Sequence, residues 1–336
     1  MAEPARPEDT AGIMAETVAG TYALGTGPWT LTPVTRGALG RIWKLSGGGR
    51  SWAVKELLFG CDKAQVAREA ALRDLAADLG IASPRLHPDR YGAHVSRLGS
   101  ASGGSWVKLY DWIDGVRADA CDPHVLDWLG RTTALLHRAG EGAAGPPDDW
   151  YERCPDDAGW EDVLKKVRDA GLPWSDELDR FIATSAPRLA HWVTPSPSGG
   201  LVTSHLDLQP QNVLVGRDGP VLLDWDNAGP VSAEREFARA LYVWSGGNDV
   251  DIAAARRLAR AYREAGGRAV AIGPESFSML FATALNYIRV QAETAVDPTV
   301  TAAQREFGGR QAVTCLRTVP DLAAVALLVA VLDGRP

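Results

Sequence analysis

The sequence predicts an α+β fold with a small β-rich N-terminal lobe and a larger, mainly helical C-terminal lobe. Short apolar runs separated by Gly-rich turns fill the stretch from Thr30 to Ile113. Helical periodicity dominates after Gly115, and one pair of short apolar runs at residues 213–223 interrupts it. At 336 residues the chain is long enough to form two lobes with substantial cores.

The same changes along the chain predict three segments. Residues 1–20 are rich in Ala, Pro and Glu and carry little that could anchor a core, so partial disorder is expected there. Residues 21–110 form the predicted N-lobe. Residues 111–336 form the predicted C-lobe. Two such lobes would leave a cleft in which ligands often bind.

In the N-lobe, three strands with Gly-rich turns between them come first. A helix then begins after Asp62, a typical N-cap residue, and runs to Leu79, where Gly80 stops it. Two more strands follow the helix. The five predicted strands are Thr30–Thr35, Arg41–Leu45, Ser51–Leu57, Ala93–Arg97 and Ser105–Ile113.

In the C-lobe, seven helices are predicted from their apolar spacing. They are Pro123–Ala139, Glu161–Ala170, Ser175–Trp192, Ala233–Trp244, Val250–Ala265, Pro274–Ala292 and Thr301–Leu332. A β-hairpin interrupts them, with strands at residues 213–215 and 221–223 and a turn at residues 216–220.

The composition limits the kinds of partner. A net charge of −7 argues against a nucleic-acid partner and is compatible with a cationic small molecule. The four cysteines are far apart and form no C-x-x-C pair, as is typical of a reducing cytoplasm. No signal peptide is recognisable, and the longest apolar run, Leu322–Leu332, is too short to span a bilayer. We therefore expect a cytoplasmic monomer or homodimer without a membrane or nucleic-acid partner.

The most informative segment contains His205, Asp207 and Asn212 in an H-x-D-x-x-x-x-N pattern, with Asp224 after the predicted hairpin. Phosphoryl transfer from a nucleotide needs a carboxylate for the proton of the attacking hydroxyl and oxygen ligands for Mg²⁺. Asp207 suits the first task, and Asn212 and Asp224 suit the second. Asp and Asn are also turn residues, but their spacing among apolar strand residues favours a kinase-type active site.

Lys55, in the third predicted strand, is the candidate for binding the nucleotide's α- and β-phosphates. The alternative is a lysine at a strand edge that reaches into solvent. Glu69 lies in an apolar stripe of the following helix, so its carboxylate should be buried and paired with a cation. Lys55 is the predicted partner. In the alternative, Glu69 lies at the edge of the stripe and meets water or a surface arginine.

Two further segments are candidates for contacts with the nucleotide. Gly37 and Gly40 lie between the first two strands, where a loop that covers phosphates through its backbone N–H groups is expected. Two glycines in a hairpin turn are also expected without any such role. The segment from Tyr110 to Trp112 is the expected connector between the lobes, and its backbone could bind the purine edge.

The chain resembles the aminoglycoside phosphotransferase and choline kinase-like family of small-molecule kinases. The segments that carry the resemblance are residues 52–55 (W-A-V-K), 111–115 (D-W-I-D-G), 129–137 (L-G-R-T-T-A-L-L-H), 205–212, and 224–226 (D-W-D). It implies a two-lobed protein-kinase-like fold, ATP or GTP as phosphate donor with Mg²⁺, and phosphorylation of a hydroxyl on a small molecule.

By position in the family's motif, the resemblance makes Asp207 the catalytic base and Asn212 and Asp224 the Mg²⁺ ligands. Lys55 then binds phosphates, and Glu69 positions Lys55. His205 shapes the loop through hydrogen bonds, and Asp226 assists the metal site or caps the next turn. The chain departs from the family pattern at Leu206, where a small residue is usual, and at Gln209, where His or Asp is common.

The acceptor is the least determined part of the prediction. The leading interpretation is an antibiotic phosphotransferase for an aminoglycoside-like or other hydroxylated natural product. The alternatives are a metabolic kinase of a sugar, an amino sugar or an amino alcohol such as choline, and a nucleotide-binding regulator without catalysis. Candidate acceptor contacts are Asp111, Asp114, Asp226 and Glu234.

Overall fold

The computed structural model describes residues 7–37, 40–58, 60–99, 104–197, 199–269 and 273–332. Its helices are α1 (Pro7–Thr21), α2 (Lys63–Asp78), α3 (Pro123–Ala139), α4 (Asp149–Glu152), α5 (Asp157–Asp169), α6 (Ser175–Ala190), α7 (Ala233–Trp244), α8 (Ile252–Glu264), α9 (Ser278–Val296), α10 (Ala302–Arg317) and α11 (Leu322–Leu332). Its strands are β1 (Thr30–Arg36), β2 (Gly40–Gly47), β3 (Arg50–Leu57), β4 (Leu86–His87), β5 (Ser96–Arg97), β6 (Trp106–Asp111), β7 (Gly115–Arg117), β8 (Leu201–Ser204), β9 (Val213–Gly216), β10 (Gly219–Leu222) and β11 (Gly229–Ser232).

The chain divides into two compact units. The first, which we call the sheet unit, contains Met1–Ala118 and Gln211–Ala228. The second, the helical unit, contains Asp119–Pro210 and Gly229–Pro336. The predicted α+β class, with a sheet-rich N-terminal region and a helical C-terminal part, is confirmed.

The sheet unit is built on a six-stranded antiparallel sheet in the order β1-β2-β3-β6-β4, with β5 also paired to β6. A second, three-stranded sheet has the order β10-β9-β7. Buried apolar side chains of β2, β3 and β6, among them Leu45, Val54 and Leu109, form the core of the unit. The helix α2 begins where Asp62 caps it by accepting from the backbone N–H groups of Ala64 and Gln65, as the sequence predicted.

The predicted disorder of residues 1–20 is corrected by α1, which covers most of that segment. The composition is poor in large apolar residues, and one of them, Ile13, is exposed, but Met14 and Val18 fall on one face of the helix. Met14 and Val18 are four residues apart and are buried in the core of the sheet unit, together with Ala15 and Ala19. Tertiary packing of this narrow stripe therefore orders a segment whose composition alone favours disorder.

The predicted hairpin is confirmed as β9 and β10, but the predicted C-lobe boundaries are corrected because this hairpin belongs to the sheet unit. The strand β9 pairs with β7, and the Leu222 N–H donates to the Ala82 carbonyl at 2.9 Å. These backbone hydrogen bonds join residues more than 90 positions apart and extend the unit to Ala118. Such pairings are non-local, so local patterns in the sequence did not predict them.

The helical unit contains the predicted helices with boundaries shifted by a few residues, and the short helix α4 in addition. The predicted helix Thr301–Leu332 is two helices, α10 and α11, with Pro320 between them. Proline lacks an N–H donor and disfavours helical backbone in the preceding residue, which explains the break. In α3, a side chain at Gly130 would lie 2.7 Å from the Leu258 carbonyl, so glycine lets α3 and α8 pack closely.

The helical unit also contains an antiparallel pair of strands that the sequence analysis did not predict. In it, β8 pairs with β11 from Leu201↔Ser232 to Ser204↔Gly229. Since β8 ends at Ser204, this pair fixes the start of the segment that begins with the buried His205. Within the described ranges no single helix is long and apolar enough to cross a membrane; the bent pair α10 and α11 meets that test only when the two are taken together.

Candidate functional site

In the sheet unit, the hairpin brings Asn212 and Asp224 to the same end. Val213 pairs with Leu222, so Asn212 directly precedes one strand and Asp224 lies two residues beyond the other. The Leu223 N–H donates to the Asn212 carbonyl at 2.8 Å, which extends the pairing to these residues. Asp224 has a φ of 57°, in the left-handed region that Asp tolerates better than most residues. The hairpin therefore supplies two oxygen-bearing side chains at one edge.

Lys55 is buried, with an exposed fraction of 9%, so the alternative of a solvent-exposed strand-edge lysine is wrong. Its Nζ lies 2.6 Å from Asp224 Oδ1 and 2.8 Å from Asp226 Oδ2. Burial would lower the pKa of Lys55, but the charges of Asp224 and Asp226 outweigh burial and raise that pKa. Lys55 is therefore a permanent cation held against the two carboxylates of the D-W-D segment.

Glu69 is buried as predicted, with an exposed fraction of 1%, but its predicted partner is corrected. Its carboxylate accepts from Lys108 Nζ at 2.7 Å, from the Tyr110 hydroxyl at 2.9 Å and from Arg73 Nε at 3.3 Å. Lys108, and not Lys55, is the lysine that pairs with it. The reason lies in the strand register: Lys108 on β6 is directly opposite Lys55 on β3, and its side chain meets the helix α2.

Asp226 joins the two lysines. Its Oδ1 accepts from Lys108 at 2.6 Å, and its Oδ2 is 2.8 Å from Lys55 Nζ. Burial would raise the pKa of Asp226, but the charges of Lys55 and Lys108 outweigh burial and hold that pKa below its usual range. We call Lys55, Lys108, Glu69, Asp224 and Asp226 the lysine–carboxylate cluster. Both oxygens of Asp226 are engaged within it, so this placement gives no support to an acceptor contact by Asp226.

Oxygen ligands of this kind suit Mg²⁺, which is usually held by one or two carboxylates together with substrate phosphates. In the part of the chain that the structure describes, no group of three or more His, Cys, Asp and Glu side chains could hold a metal ion by itself. The Asn212 amide oxygen and the Asp224 carboxylate therefore fit a metal that binds together with a nucleotide.

The two glycines of the predicted phosphate loop differ in their surroundings. Gly37 donates its N–H to the Gly40 carbonyl at 2.9 Å and is exposed. Gly40 is buried, and a side chain there would lie 2.8 Å from the Glu56 carbonyl and 3.4 Å from Lys55 Cε. Residues 38 and 39 of this loop lie outside the described residues. The close approach at Gly40 thus leaves room for the Lys55 side chain.

We expect Gly40→Ala to weaken nucleotide binding and Gly37→Ala to leave it nearly unchanged. The new methyl group at position 40 meets backbone and would displace the strand next to Lys55, whereas at position 37 its nearest neighbour is 3.9 Å away. The dissociation constant of ADP, measured for both variants beside the wild type, checks this. Equal affinities of the two variants would contradict the role assigned to Gly40.

The predicted connector residues are tied to neighbours in the sheet unit. The Asp111 N–H donates to the Arg85 carbonyl at 3.1 Å, and Asp111 Oδ1 lies 2.7 Å from His87 Nε2. The Trp112 indole N–H donates to Asp114 Oδ1 at 2.8 Å. The Tyr110 side chain is buried, and its hydroxyl serves Glu69. Contacts of Tyr110 and Trp112 with a purine, and of Asp111 and Asp114 with an acceptor, stay predictions.

In the helical unit, Asp207 follows β8 in a segment shaped by His205, which is fully buried. The Asp207 N–H donates to His205 Nδ1 at 3.2 Å; the loop-shaping role of this histidine stays a prediction. Asp207 Oδ1 accepts from Arg239 Nη2 at 3.0 Å and also from the Gln209 amide. Arg239 lies on α7, and the sequence analysis did not identify it because nothing local links it to Asp207.

Leu206, where the family usually has a small residue, has a φ of 64°. Such backbone is strained for leucine and persists only when its surroundings hold it. Its N–H donates to Glu236 Oε1, and its side chain packs with Tyr151, Val231 and Met279. The buried Glu236 also lies 2.7 Å from His137 Nε2. A buried carboxylate and an apolar cluster thus fix the backbone that presents Asp207.

Electrostatics keep Asp207 ionised. Burial would raise the pKa of Asp207, but the charge of Arg239, the hydrogen bond from Gln209 and the charge of His205 outweigh burial and lower that pKa. The carboxylate is therefore ionised in neutral solution. Glu234, a further candidate acceptor contact, lies on α7 and accepts from the Ser276 hydroxyl; its role stays a prediction.

We expect Arg239→Met to move the acidic limb of the pH–rate profile to higher pH. Asp207 acts when it is deprotonated, so activity is lost as the pH falls through its folded-state pKa. Removing the arginine charge removes a cause of the lowered pKa, so the loss begins at higher pH. The pH dependence of kcat/KM checks this; an unshifted acidic limb with reduced kcat would assign Arg239 to packing alone.

Comparisons with known proteins also indicate a phosphotransferase. A model of a phosphotransferase enzyme family, APH, matches residues 30–272. A homoserine kinase from Beijerinckia indica subsp. indica is 30% identical over 136 residues, which cover 40% of this chain and 39% of that protein. That match therefore spans less than half of the length of the curated relative.

Two solved structures show the fold. Spectinomycin phosphotransferase APH(9)-Ia, in complex with ADP and spectinomycin, has a TM-score of 0.64 and 14% identity and covers 98% of this chain and 99% of its own. A microcompartment-associated aminopropanol kinase has a TM-score of 0.57 and 15% identity, with coverage of 96% and 97%. At these identities the likeness extends to the fold only.

Proposed function

The chain belongs to the APH phosphotransferase enzyme family, and we propose that it transfers the γ-phosphate of ATP or GTP to a hydroxyl of a small molecule. The proposed acceptor is an antibiotic, aminoglycoside-like or other hydroxylated natural product. The observation that carries the proposal is the contact between Lys55 and Asp224, a buried cation 2.6 Å from a carboxylate at the end of the hairpin. A nucleotide phosphate and its metal need this pair of charges.

The roles follow from the chemistry of each side chain. Lys55 neutralises charge on the nucleotide phosphates, and Asn212 and Asp224 supply oxygen ligands for Mg²⁺. Bound Mg²⁺ would neutralise charge that develops on the phosphates during transfer. Asp207 orients the acceptor hydroxyl and receives its proton. Most of the proposed catalysis is thus positioning and charge neutralisation.

A second candidate function is phosphorylation of a short amino alcohol in metabolism. The observation that favours it is the 30% identity with a homoserine kinase over 136 residues. The aminopropanol kinase with the same fold points to the same class of acceptor. Homoserine, aminopropanol and aminoglycosides all carry an amine and a hydroxyl, so the two candidates share one chemistry and differ in the size of the acceptor.

The test is Mg²⁺-dependent nucleotide consumption with ATP and GTP in parallel. The acceptor panel contains aminoglycosides, spectinomycin, peptide and nucleoside antibiotics, amino sugars, homoserine, aminopropanol and choline. Turnover with an antibiotic class supports the leading proposal, and turnover with short amino alcohols or sugars alone supports the second. Nucleotide binding without turnover on any acceptor would contradict both and favour a non-catalytic regulator.

A further inference from the structure

Two buried lysines lie side by side in the sheet unit. Lys55 on β3 and Lys108 on β6 are directly opposite in the antiparallel register. Their exposed fractions are 9% and 2%. A lysine is rarely buried so deeply without a charged partner, because removal of an ammonium from water is costly. The residues next to Lys108 in the sequence predict neither its burial nor its position opposite Lys55.

The two lysines have different carboxylate partners. Lys55 contacts Asp224 and Asp226, and the Asp224 side chain is 44% exposed. Lys108 contacts Asp226 and Glu69, with Glu69 almost fully buried. Lys55 therefore lies at the accessible end of the lysine–carboxylate cluster, and Lys108 lies in its interior. Asp226 is the single carboxylate that they share.

The helix α2 is tied to the segment that carries Asp224 by a second route. Gln65 Nε2 donates to the Asp226 carbonyl at 2.6 Å and to the Ala228 carbonyl at 2.8 Å. Gln65 and Glu69 are four residues apart, so they lie on the same face of α2. Gln65 holds the backbone of residues 226–228, and Lys108 connects Glu69 to the side chain of Asp226.

On the basis of the proposed function, we propose that Lys108 is a positioning residue that satisfies Glu69 and Asp226 and so leaves Lys55 available to the nucleotide phosphates. When Lys55 moves to a phosphate, Asp226 keeps the Lys108 contact and the D-W-D segment keeps its place. Lys108 itself does not contact the nucleotide. The glutamate that was expected to hold Lys55 instead holds Lys108, which anchors α2 to that segment.

The charges of the cluster define the test. Three carboxylates, those of Glu69, Asp224 and Asp226, are balanced by three cations. The cations are Lys55, Lys108 and Arg73. Removal of the Lys108 charge leaves an excess of negative charge in a buried place, which is strongly unfavourable. Lys55 Nζ already lies 2.8 Å from Asp226 Oδ2, and without Lys108 this contact would be strengthened at the expense of contacts with phosphates. Neutralising Glu69 at the same time restores the balance.

The experiment compares Lys108→Met with the double variant K108M/E69Q. Binding of ADP is measured by calorimetry with and without Mg²⁺, and kcat is measured with the best acceptor. We expect Lys108→Met to weaken ADP binding about ten- to a hundredfold, also without metal. The double variant should recover most of that affinity, because E69Q removes the excess negative charge that competes with phosphates for Lys55. K108R, which keeps the charge, should retain more ADP affinity than Lys108→Met.

Lys63→Met is the matched control. Lys63 is exposed at the start of α2, and its ammonium lies 5.6 Å from the centre of the Trp106 ring. The substitution removes a lysine from α2 that does not contact the lysine–carboxylate cluster. ADP affinity and kcat should therefore stay at wild-type values. Lys55→Met is the positive control and should weaken ADP binding directly.

Two results would overturn the inference. Unchanged ADP affinity in Lys108→Met, beside weakened binding in Lys55→Met, would show that Lys108 positions nothing. A loss that the double variant does not recover would mean that Lys108 binds phosphate itself or serves packing alone. If Lys108→Met does not fold, Lys108→Gln, which lacks the charge but keeps hydrogen-bond donors, takes its place in both comparisons. A wild type without ADP binding or turnover would instead refute the proposed function, and not this inference specifically.

Discussion

Asp207→Asn should lower kcat by about a hundred- to ten-thousandfold, the usual contribution of a positioned acid or base. Asparagine keeps the size of the side chain and an oxygen for Arg239, which lies 3.0 Å from Asp207 Oδ1, but it cannot accept a proton. The affinity for ADP should stay close to that of the wild type, because Lys55, the lysine proposed to bind the phosphates, lies in the sheet unit. Initial rates with a productive acceptor and calorimetric ADP binding measure the two effects.

Asp169→Asn is a suitable control, because Asp169 is an exposed residue at the end of α5 in the same unit. It should leave both kcat and ADP affinity unchanged. Thermal unfolding of the three proteins verifies that Asp207→Asn folds. Near-normal turnover in a folded Asp207→Asn would refute the assignment of Asp207 as the base.

The parts of the site that could be predicted from the sequence are those set by local pattern. Two short apolar runs with a Gly-containing turn specify a hairpin, and its register then fixes Asn212 and Asp224 at one end. The apolar stripe of α2 likewise shows that Glu69 is buried. In each case the physical cause acts within about 20 residues of sequence, where periodicity is readable.

The parts that were missed depend on contacts between distant residues. Lys108 is 39 residues from Glu69 and 118 from Asp226, and only the register of β3 with β6 brings it to them. Arg239 is 32 residues from Asp207 and reaches it from a helix that follows the β8–β11 pair. No spacing rule connects such residues. A prediction from local patterns therefore pairs Glu69 with Lys55, the lysine that its motif had already identified.

The N-terminal segment shows a different limit. Its composition predicts disorder, yet Met14 and Val18 are buried against the sheet. A few apolar residues are enough to order a helix that packs against the core of the sheet unit. The composition of the segment does not show that such a core is present. By contrast, the break between α10 and α11 has a local cause in Pro320, although proline is not decisive by itself, since Pro187 lies within α6. The long apolar run after Pro320 favoured the prediction of one continuous helix.

Asp224→Asn should lower turnover by at least about a hundredfold, because a metal supplies several kcal/mol of transition-state stabilisation and each 1.4 kcal/mol is a factor of ten. The substitution keeps the shape of the side chain and removes the charge expected to bind Mg²⁺. Lys55 loses one of its two carboxylates and keeps Asp226. Rates measured across a Mg²⁺ titration should therefore show a higher half-saturating concentration as well as a lower maximum.

Binding of ADP without metal separates this role from that of Lys55. In the wild type, Lys55 Nζ lies 2.6 Å from Asp224 Oδ1, and this contact competes with a phosphate for the ammonium. Asp224→Asn weakens the competing contact, so metal-free ADP should bind no more weakly than to the wild type, while Lys55→Met binds it less tightly. Asp218→Asn, in the exposed turn of the same hairpin, should change neither quantity. If Asp224→Asn weakened metal-free binding as much as Lys55→Met does, Asp224 would serve to orient the lysine and would not be the metal ligand.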